Sequence, residues 1–327
     1  MKKKSIALLL ALAVLAALAL SACGAEDISM KLGEKTVLED YIEFTPINVL
    51  ATGDEMYAPT GNESGWVYNG ELEDPAYVAL VAKVKNLSKD KIKMQNFVTS
   101  ILKQGEKEYD TYQTMLLTEN NTLLSTRDAI EPGQEGTVYI LMDGEQSTRG
   151  KASMEMTFTN SSYEGEDIYH LDMDTNKAVA VTVPLEKGKT VTADGYGKMT
   201  LKKVSTGKKV EPTKASKYDG YTYYTPKKTG TVLLDVQIQA ENQQSKKCRD
   251  TNFIGISANK DNKTAYGYIA TETKDGKNMK DLAFLKPGES QLLHAVAEVP
   301  KEWKSGGVQI YLYFGGQYYE YSWAGEK

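Results

Sequence analysis

Two histidines, two cysteines and one acidic run are the groups in this 327-residue sequence whose chemistry needs testing first. His170 and His294 each stand alone, with no second His or Cys at the spacing of a metal site. His294 lies in "QLLHAVAEV", which reads as a strand, so it is expected to be a tolerated strand residue. Asp172, Asp174 and Asn176 match the first three ligand positions of a calcium loop. Its sixth position needs Gly and holds Lys177, and its twelfth needs Glu and holds Val183, so the run reads as a polar linker. Cys248 sits among Lys246, Lys247 and Arg249, cations of the kind that activate a thiol. Neighbours on a strand point to alternate faces, however, and a small apolar niche is the other reading. No G-x-S-x-G, Walker or GxGxxG pattern occurs between a strand and a helix. The expectation is a chain that is not an enzyme, with no catalytic residue, metal or cofactor.

Aromatic residues offer the binding chemistry. Tyr57, Trp66 and Tyr68 lie in one long Gly/Pro-punctuated loop, and Tyr218, Tyr221, Tyr223 and Tyr224 lie in another. Such amphipathic rings either contact a ligand or partner, or fold back over the end of their own domain. The first loop is acidic through Asp54, Glu55, Glu63, Glu71, Glu73 and Asp74. The second is basic through Lys208, Lys209, Lys214, Lys217, Lys227 and Lys228. That asymmetry suits contact between the two halves, or two different partners.

The chain opens with MKKKS, an apolar run from Ile6 to Leu20, and then Leu20-Ser21-Ala22-Cys23. A basic start, a short apolar run and small residues form a secretory signal, and the run is too short to span a bilayer comfortably. The four residues ending at Cys23 resemble the bacterial lipoprotein signal. That resemblance implies a diacylglyceryl thioether on Cys23, cleavage just before it, and a protein anchored to the outer face of the cell membrane. Two acyl chains suffice for stable anchoring. Loss of Lys2, Lys3 and Lys4 takes the formal net charge from −5 to −8, which disfavours nucleic acid as a partner. With Cys23 lipidated, Cys248 has no intrachain disulfide partner.

The elements that carry these residues recur. "GEKTVLEDY" from Gly33 returns as "GKTVTADGY" from Gly188, with Thr36-Val37 on Thr190-Val191, and Thr52-Gly53 returns as Thr206-Gly207, both pairs at an offset of 154. Asn86 and Asn96-Phe97 return as Asn242 and Asn252-Phe253 at 156, and Pro132-Gly133 as Pro287-Gly288 at 155. Period-two runs such as "YVALVAKVKN" and "TVLLDVQIQAEN", bounded by Gly, Asn and Pro turns, indicate all-β sandwiches. Only "YDTYQTMLLTENN" near Tyr109 hints at a short helix. The expected layout is 1–22 signal peptide, 23–30 lipidated Cys and short tether, 31–175 first sandwich and 176–327 second sandwich, each able to fold alone.

These landmarks carry a further resemblance. "YVALVAKVKNLS" from Tyr77, Asn96-Phe97 and "IEPGQEGTV" from Ile130 are similar to the telokin-like, immunoglobulin-type domain of unknown function of Gram-positive lipoproteins. The second copy departs from the first at "AEN" and at Cys248, which replaces Ile92. The resemblance implies two tandem immunoglobulin-like sandwiches and a surface location, and carries no catalytic residues with it. The expected function is non-enzymatic binding of a cell-surface protein or cell-wall component. The other reading is a small-ligand or glycan-binding lipoprotein accessory to transport.

The last landmark is "VQIYLYFGGQYYEYSW", Val308 to Trp323. Turning it at Gly315-Gly316 pairs Phe314 with Gln317, Leu312 with Tyr319, Ile310 with Tyr321 and Val308 with Trp323 on a core face. Tyr311, Tyr313 and Tyr318 then stand outward, either bracing the hairpin or forming a stacking platform for a sugar or partner. A buried Tyr313 would contradict that arrangement.

Overall fold

The computed structural model describes residues 26–52, 55–59, 66–67, 74–118, 121, 123–160, 163–164, 167–176, 179–216, 218, 220–261 and 263–326. They form two β-sandwich bodies, each made from one long sheet folded across itself. Cys23 and Tyr68 lie outside the described residues.

In the first body the sheet runs Asp27–Met30, Ile168–Asp174, Lys151–Asn160, Val98–Gln104, Lys107–Leu117, Glu135–Glu145, Pro75–Asn86 and Ile42–Ala51. In the second it runs Thr182–Pro184, Gln317–Trp323, Val308–Phe314, Gly255–Lys260, Lys263–Glu272, Ser290–Pro300, Thr231–Asn242 and Gly197–Gly207. Each path starts with a short parallel edge strand. Each folds over at a strand that changes layers. Lys107–Asp110 pairs with one layer and Thr111–Leu116 with the other. Lys263–Tyr266 and Gly267–Thr271 do the same in the second body. The "YDTYQTMLL" run is therefore a strand, since its Tyr and Thr residues suit a pleated surface bent between two layers.

The landmark asparagines are buried knots. Asn86 Nδ2 donates to the carbonyls of Asp90 at 2.8 Å and Ile130 at 2.9 Å, and its Oδ1 accepts from the Ser88 amide at 2.9 Å. Asn242 Nδ2 donates to Lys246 O at 3.0 Å and Leu285 O at 2.9 Å, and its Oδ1 accepts from the Gln244 amide at 2.9 Å. The backbone amides of Gly133 and Gly288 donate to the Asn86 and Asn242 carbonyls. Each knot ties a strand end to its Pro-Gly turn, which is why a fully buried side chain here is an amide.

Between the layers of the first body, Phe158 meets Phe44 and Phe97 edge-on, with ring centres 4.9 and 5.5 Å apart. In the second, Phe253 stacks on Tyr196 and meets Phe314 edge-on. Two expected boundaries shift. Asp27–Met30, read as tether, is a strand whose Met30 enters the first core. At the junction, Val179–Ala180 pairs with Ile42–Ala51 of the first body and Thr182–Pro184 with the second. The crossing falls at Val181, whose amide donates to Ile47 O and whose carbonyl accepts from Gln317 Nε2.

Several strands are buried on both faces. Ala76–Ala82, Val138–Met142 and Val232–Val236 are buried without interruption. Alternate residues of the first two runs face away from their own core. Tyr77, Ala79, Val81, Tyr139 and Leu141 instead form a cluster with Met115, Leu117, Tyr313 and Tyr318. The bodies thus press together through an aromatic-rich apolar interface. The matching outer face of the second body, with Leu233, Ala270 and Val296, is covered by Val210 and Tyr224 of its own loop.

Candidate ligand crevice between the two sandwiches

The closing hairpin pairs as its sequence indicates, from Val308 opposite Trp323 to Phe314 opposite Gln317. Gly315 and Gly316 both take positive φ, 57° and 79°, as a tight two-residue turn requires. Val308, Ile310, Leu312, Phe314, Tyr319 and Trp323 join the second core. Tyr313 and Tyr318 nevertheless are not a free platform, being only 4% and 8% exposed. They point away from their own core, as the register demands, and the first body covers them. Their rings meet edge-on at 4.9 Å, and the Tyr318 and Tyr139 hydroxyls lie 3.5 Å apart. Burial pushes the Tyr313 phenol up to about 12, so it stays neutral in the interface.

Tyr311 is half-buried and borders a gap in this interface. The gap has a cause in the sequence. On strand Gly255–Lys260, the outward residues are Gly255, Ser257 and Asn259, while Ile256 and Ala258 enter the core. Gly255 lies beside Tyr313, and Ser257 lies between Tyr311 and Tyr266. Two small residues between bulky rings leave a furrow. The first body roofs it with Asn48, Leu50, Ala51, Thr52, Tyr57 and Pro59, and the Tyr57 ring packs 5.6 Å from that of Tyr266.

Asn48 reaches this place through a bulge. Pro46 pairs with Ala82 and Asn48 with the next residue, Val81, so Ile47 is the extra residue. A bulge re-aims the side chains beside it, and Pro within a strand commonly marks one. Asn48 is 2% exposed, and its Oδ1 has no hydrogen-bond partner. Across the furrow, Asn259 Oδ1 is also buried and unpartnered. Asn48 and Asn259 thus line one narrow crevice, about 30 Å³ in volume, whose described lining carries no carboxylate, amine or imidazole. The crevice opens past Asn259, Thr264 and Tyr311 into a wider vestibule of about 290 Å³, bordered by Asn176, Lys260, Asp261, Lys263 and Gln309. Burial, with help from Glu320, pushes the Tyr311 phenol up to about 12.

The other aromatic candidates do not converge here. Trp66 lies in a two-residue strand paired with Glu55–Met56. Tyr224 covers its own sheet, with its hydroxyl donating to Asp281. Tyr221 donates to Glu211, and Lys209 Nζ sits 3.9 Å from the Tyr223 ring centre and 4.9 Å from that of Tyr221. Tyr218 is 97% exposed and Tyr223 51%. The second loop thus folds back through Tyr224, and its tip stays in solvent.

His294 is more than a tolerated strand residue. It is fully buried on the outer face of its sheet, with Nδ1 2.9 Å from Asp235 Oδ1 and Nε2 3.5 Å from Glu272 Oε2. Burial works against its charge, but the hydrogen bonds and charges of Asp235 and then Glu272 outweigh it and raise its pKa. Glu272 also accepts from the Thr213 amide and hydroxyl, tying the covering loop to this ion group. His170 instead makes a partly exposed contact with Asp27 at 3.3 Å. Asp174 Oδ1 accepts from the Asn176 amide in a turn, and Asp172 lies exposed on a strand. Among the described residues no group of three or more His, Cys, Asp or Glu could hold a metal ion. Burial raises the Cys248 thiol pKa, while Lys247 and Arg249 sit over the Phe284 ring. Cys248 packs against the second core, as the apolar reading has it.

No protein-family model matches the chain, and no curated protein matches it. Among solved structures it is similar to an uncharacterised β-sandwich protein from Clostridium difficile 630. That likeness covers 43% of this chain and 93% of the other, at 20% identity and a TM-score of 0.39.

Proposed function

We propose that this protein is a lipoprotein, held at the outer face of the cell membrane through Cys23, and that it works there as a non-enzymatic binding module. The observation that carries the reading is Leu20-Ser21-Ala22-Cys23 placed directly before the folded body. Only three residues, spanned by four Cα–Cα steps, separate Cys23 from the strand starting at Asp27. Fully extended, those four steps reach about 14 Å, so the anchor would hold the first sandwich against the bilayer. Its partner is a protein or cell-wall component at that surface. Each sandwich is read as a copy of the telokin-like, immunoglobulin-type domain. The support is the shared strand order and the matching asparagine knots.

Cys23→Ala should move the protein from the membrane fraction to the soluble one, or leave it as unprocessed precursor. Mass spectrometry of the mature N-terminus checks this, and an unmodified start at Ala25 or beyond would overturn the anchor. The other reading, a small-ligand or glycan-binding lipoprotein accessory to transport, gains no support from the crevice, whose volume of about 30 Å³ has room for about one water.

A further inference from the structure

We propose that a cationic cleft on the second sandwich binds a phosphodiester chain, a soluble polyanion that lies along the cleft. This rests on the reading of the protein as a surface binding module and names the chemistry of its partner. The cleft, about 410 Å³ in volume, is bordered by Lys274, Lys280, Lys286 and Phe284. Two more cations meet it through the Phe284 ring, which is 42% exposed. Lys247 Nζ lies 4.6 Å from the ring centre and Arg249 Cζ lies 5.6 Å from it, so the aromatic face gathers both charges. The two carboxylates of the lining are already engaged. Glu289 takes Lys274 Nζ at 2.8 Å and the Lys286 amide at 2.9 Å. Glu272 is buried and held by Thr213 and His294. Among the described residues, Lys247, Arg249, Lys280 and Lys286 make no ion pair. These cations converge without a counter-charge, on a chain whose net charge is negative.

The fold does not require this arrangement, because the first sandwich builds the same turns without it. Strand pairing sets the equivalence. Ser125 opposite Leu116 corresponds to Lys280 opposite Thr271, and Ala129 opposite Lys93 corresponds to Phe284 opposite Arg249. The Gln134 amide donates to the Glu131 carbonyl just as the Glu289 amide donates to that of Lys286. A hydroxyl, a methyl group and an acid in the first copy are thus Lys280, Phe284 and Lys286 in the second. The first copy keeps cations at Lys91 and Lys93 but has no ring to gather them. Lys280 and Lys286 are exposed, so packing does not account for them either. Ammonium groups act as point charges that take phosphate oxygens singly, and several along one cleft match an anion that repeats. A cleft lined by one sign of charge also concentrates the potential within it. Its concave shape follows a strand and meets a planar bilayer poorly.

The test is titration calorimetry on the mature chain from residue 23, carrying Cys23→Ala so that no lipid enters the readout. The probes are inorganic polyphosphate, a glycerol-phosphate oligomer, hyaluronan as a carboxylate polymer, and phosphatidylglycerol vesicles. Both phosphate chains should bind at about 0.15 M salt and weaken as salt rises. The double variant Lys280→Gln, Lys286→Gln should bind them about tenfold more weakly, with an unchanged denaturant midpoint. Phe284→Ala, which lets Lys247 and Arg249 disperse, should weaken binding by a smaller factor. Lys31→Gln with Lys35→Gln removes equal charge from the first sandwich and should leave affinity as it was. Failure of both phosphate chains to bind overturns the proposal, as does affinity that survives the Lys280, Lys286 variant or falls equally in the control. Hyaluronan bound as tightly as polyphosphate, or vesicles bound where the phosphate chains are not, overturns it too. Membrane fractionation of the natural chain reads the anchor separately. An unanchored chain that binds polyphosphate refutes the anchor alone, and an anchored chain that does not refutes the cleft alone.

Discussion

At the scale of single residues, Asn86 and His294 are both fully buried polar groups, but they respond to different conditions. Asn86 is neutral, and four hydrogen bonds, including one from the Ser88 hydroxyl, hold it at any pH. Asn86→Ala would remove the bonds to the Ile130 carbonyl and the Ser88 amide and leave the Asp90 carbonyl to the Ser88 hydroxyl alone, costing roughly 2–4 kcal/mol by the usual worth of such bonds. Asn242→Ala should cost a similar or slightly smaller amount, because three of those bonds recur and the one from the Ser88 hydroxyl does not; denaturant midpoints of the two variants check both. His294 carries a proton between Asp235 and Glu272, and its folded pKa is raised above the ordinary 6.5. Its contribution is complete below that unfolded value and is lost as pH rises through the folded one. The melting temperature should therefore decline as pH climbs above about 6.5, and His294→Gln should remove that decline. A slope that survives the substitution refutes the ion group as its source.

The element scale separates what a strand pattern states from what it leaves open. Period two and the Gly315-Gly316 turn made every pair of the closing hairpin legible, because the side-chain alternation and the turn length leave one register. The same alternation says which residues share a face and nothing about what covers it. Tyr313 therefore lies on the expected face but not in solvent: the first sandwich, distant in sequence, buries it. A partial signal was present in the near-continuous apolar runs "YVALVA" and "YILM", which suit strands covered on both sides. The crevice residues were harder to see. Asn48 needed the bulge at Pro46 to be recognised, and Gly255 and Ser257 matter only because tyrosines of neighbouring strands rise on either side. These roles change one expectation. Leu312→Ala should cost about 2–5 kcal/mol, as for a core leucine. Tyr313→Ala should also destabilise measurably, and should do so by weakening the contact between bodies. Denaturation of both variants, followed in each body by a separate probe, distinguishes a core cavity from a loosened interface.

For the molecule as a whole, the interface decides whether the two sandwiches behave as one object. Interfaces between domains of a chain are commonly polar and allow relative motion. Here the contact is made by Met56, Tyr77, Val81, Met115, Tyr139, Leu141, Tyr313 and Tyr318, and Val181 bonds to both bodies where the chain crosses. Each sandwich has its own core. Separating them, however, would expose an apolar sheet face on the first and a row of tyrosines on the second. Exposed apolar patches of that kind drive association. The full chain should consequently unfold in one calorimetric transition. Residues 26–180 and 182–327 expressed apart should each melt lower and self-associate in a concentration-dependent way. Two well-separated transitions in the intact chain, or halves as stable and monomeric as the whole, would mean that the bodies only touch. The crevice would then have no fixed roof, because Asn48 and Tyr57 come from one body and Asn259 and Tyr311 from the other.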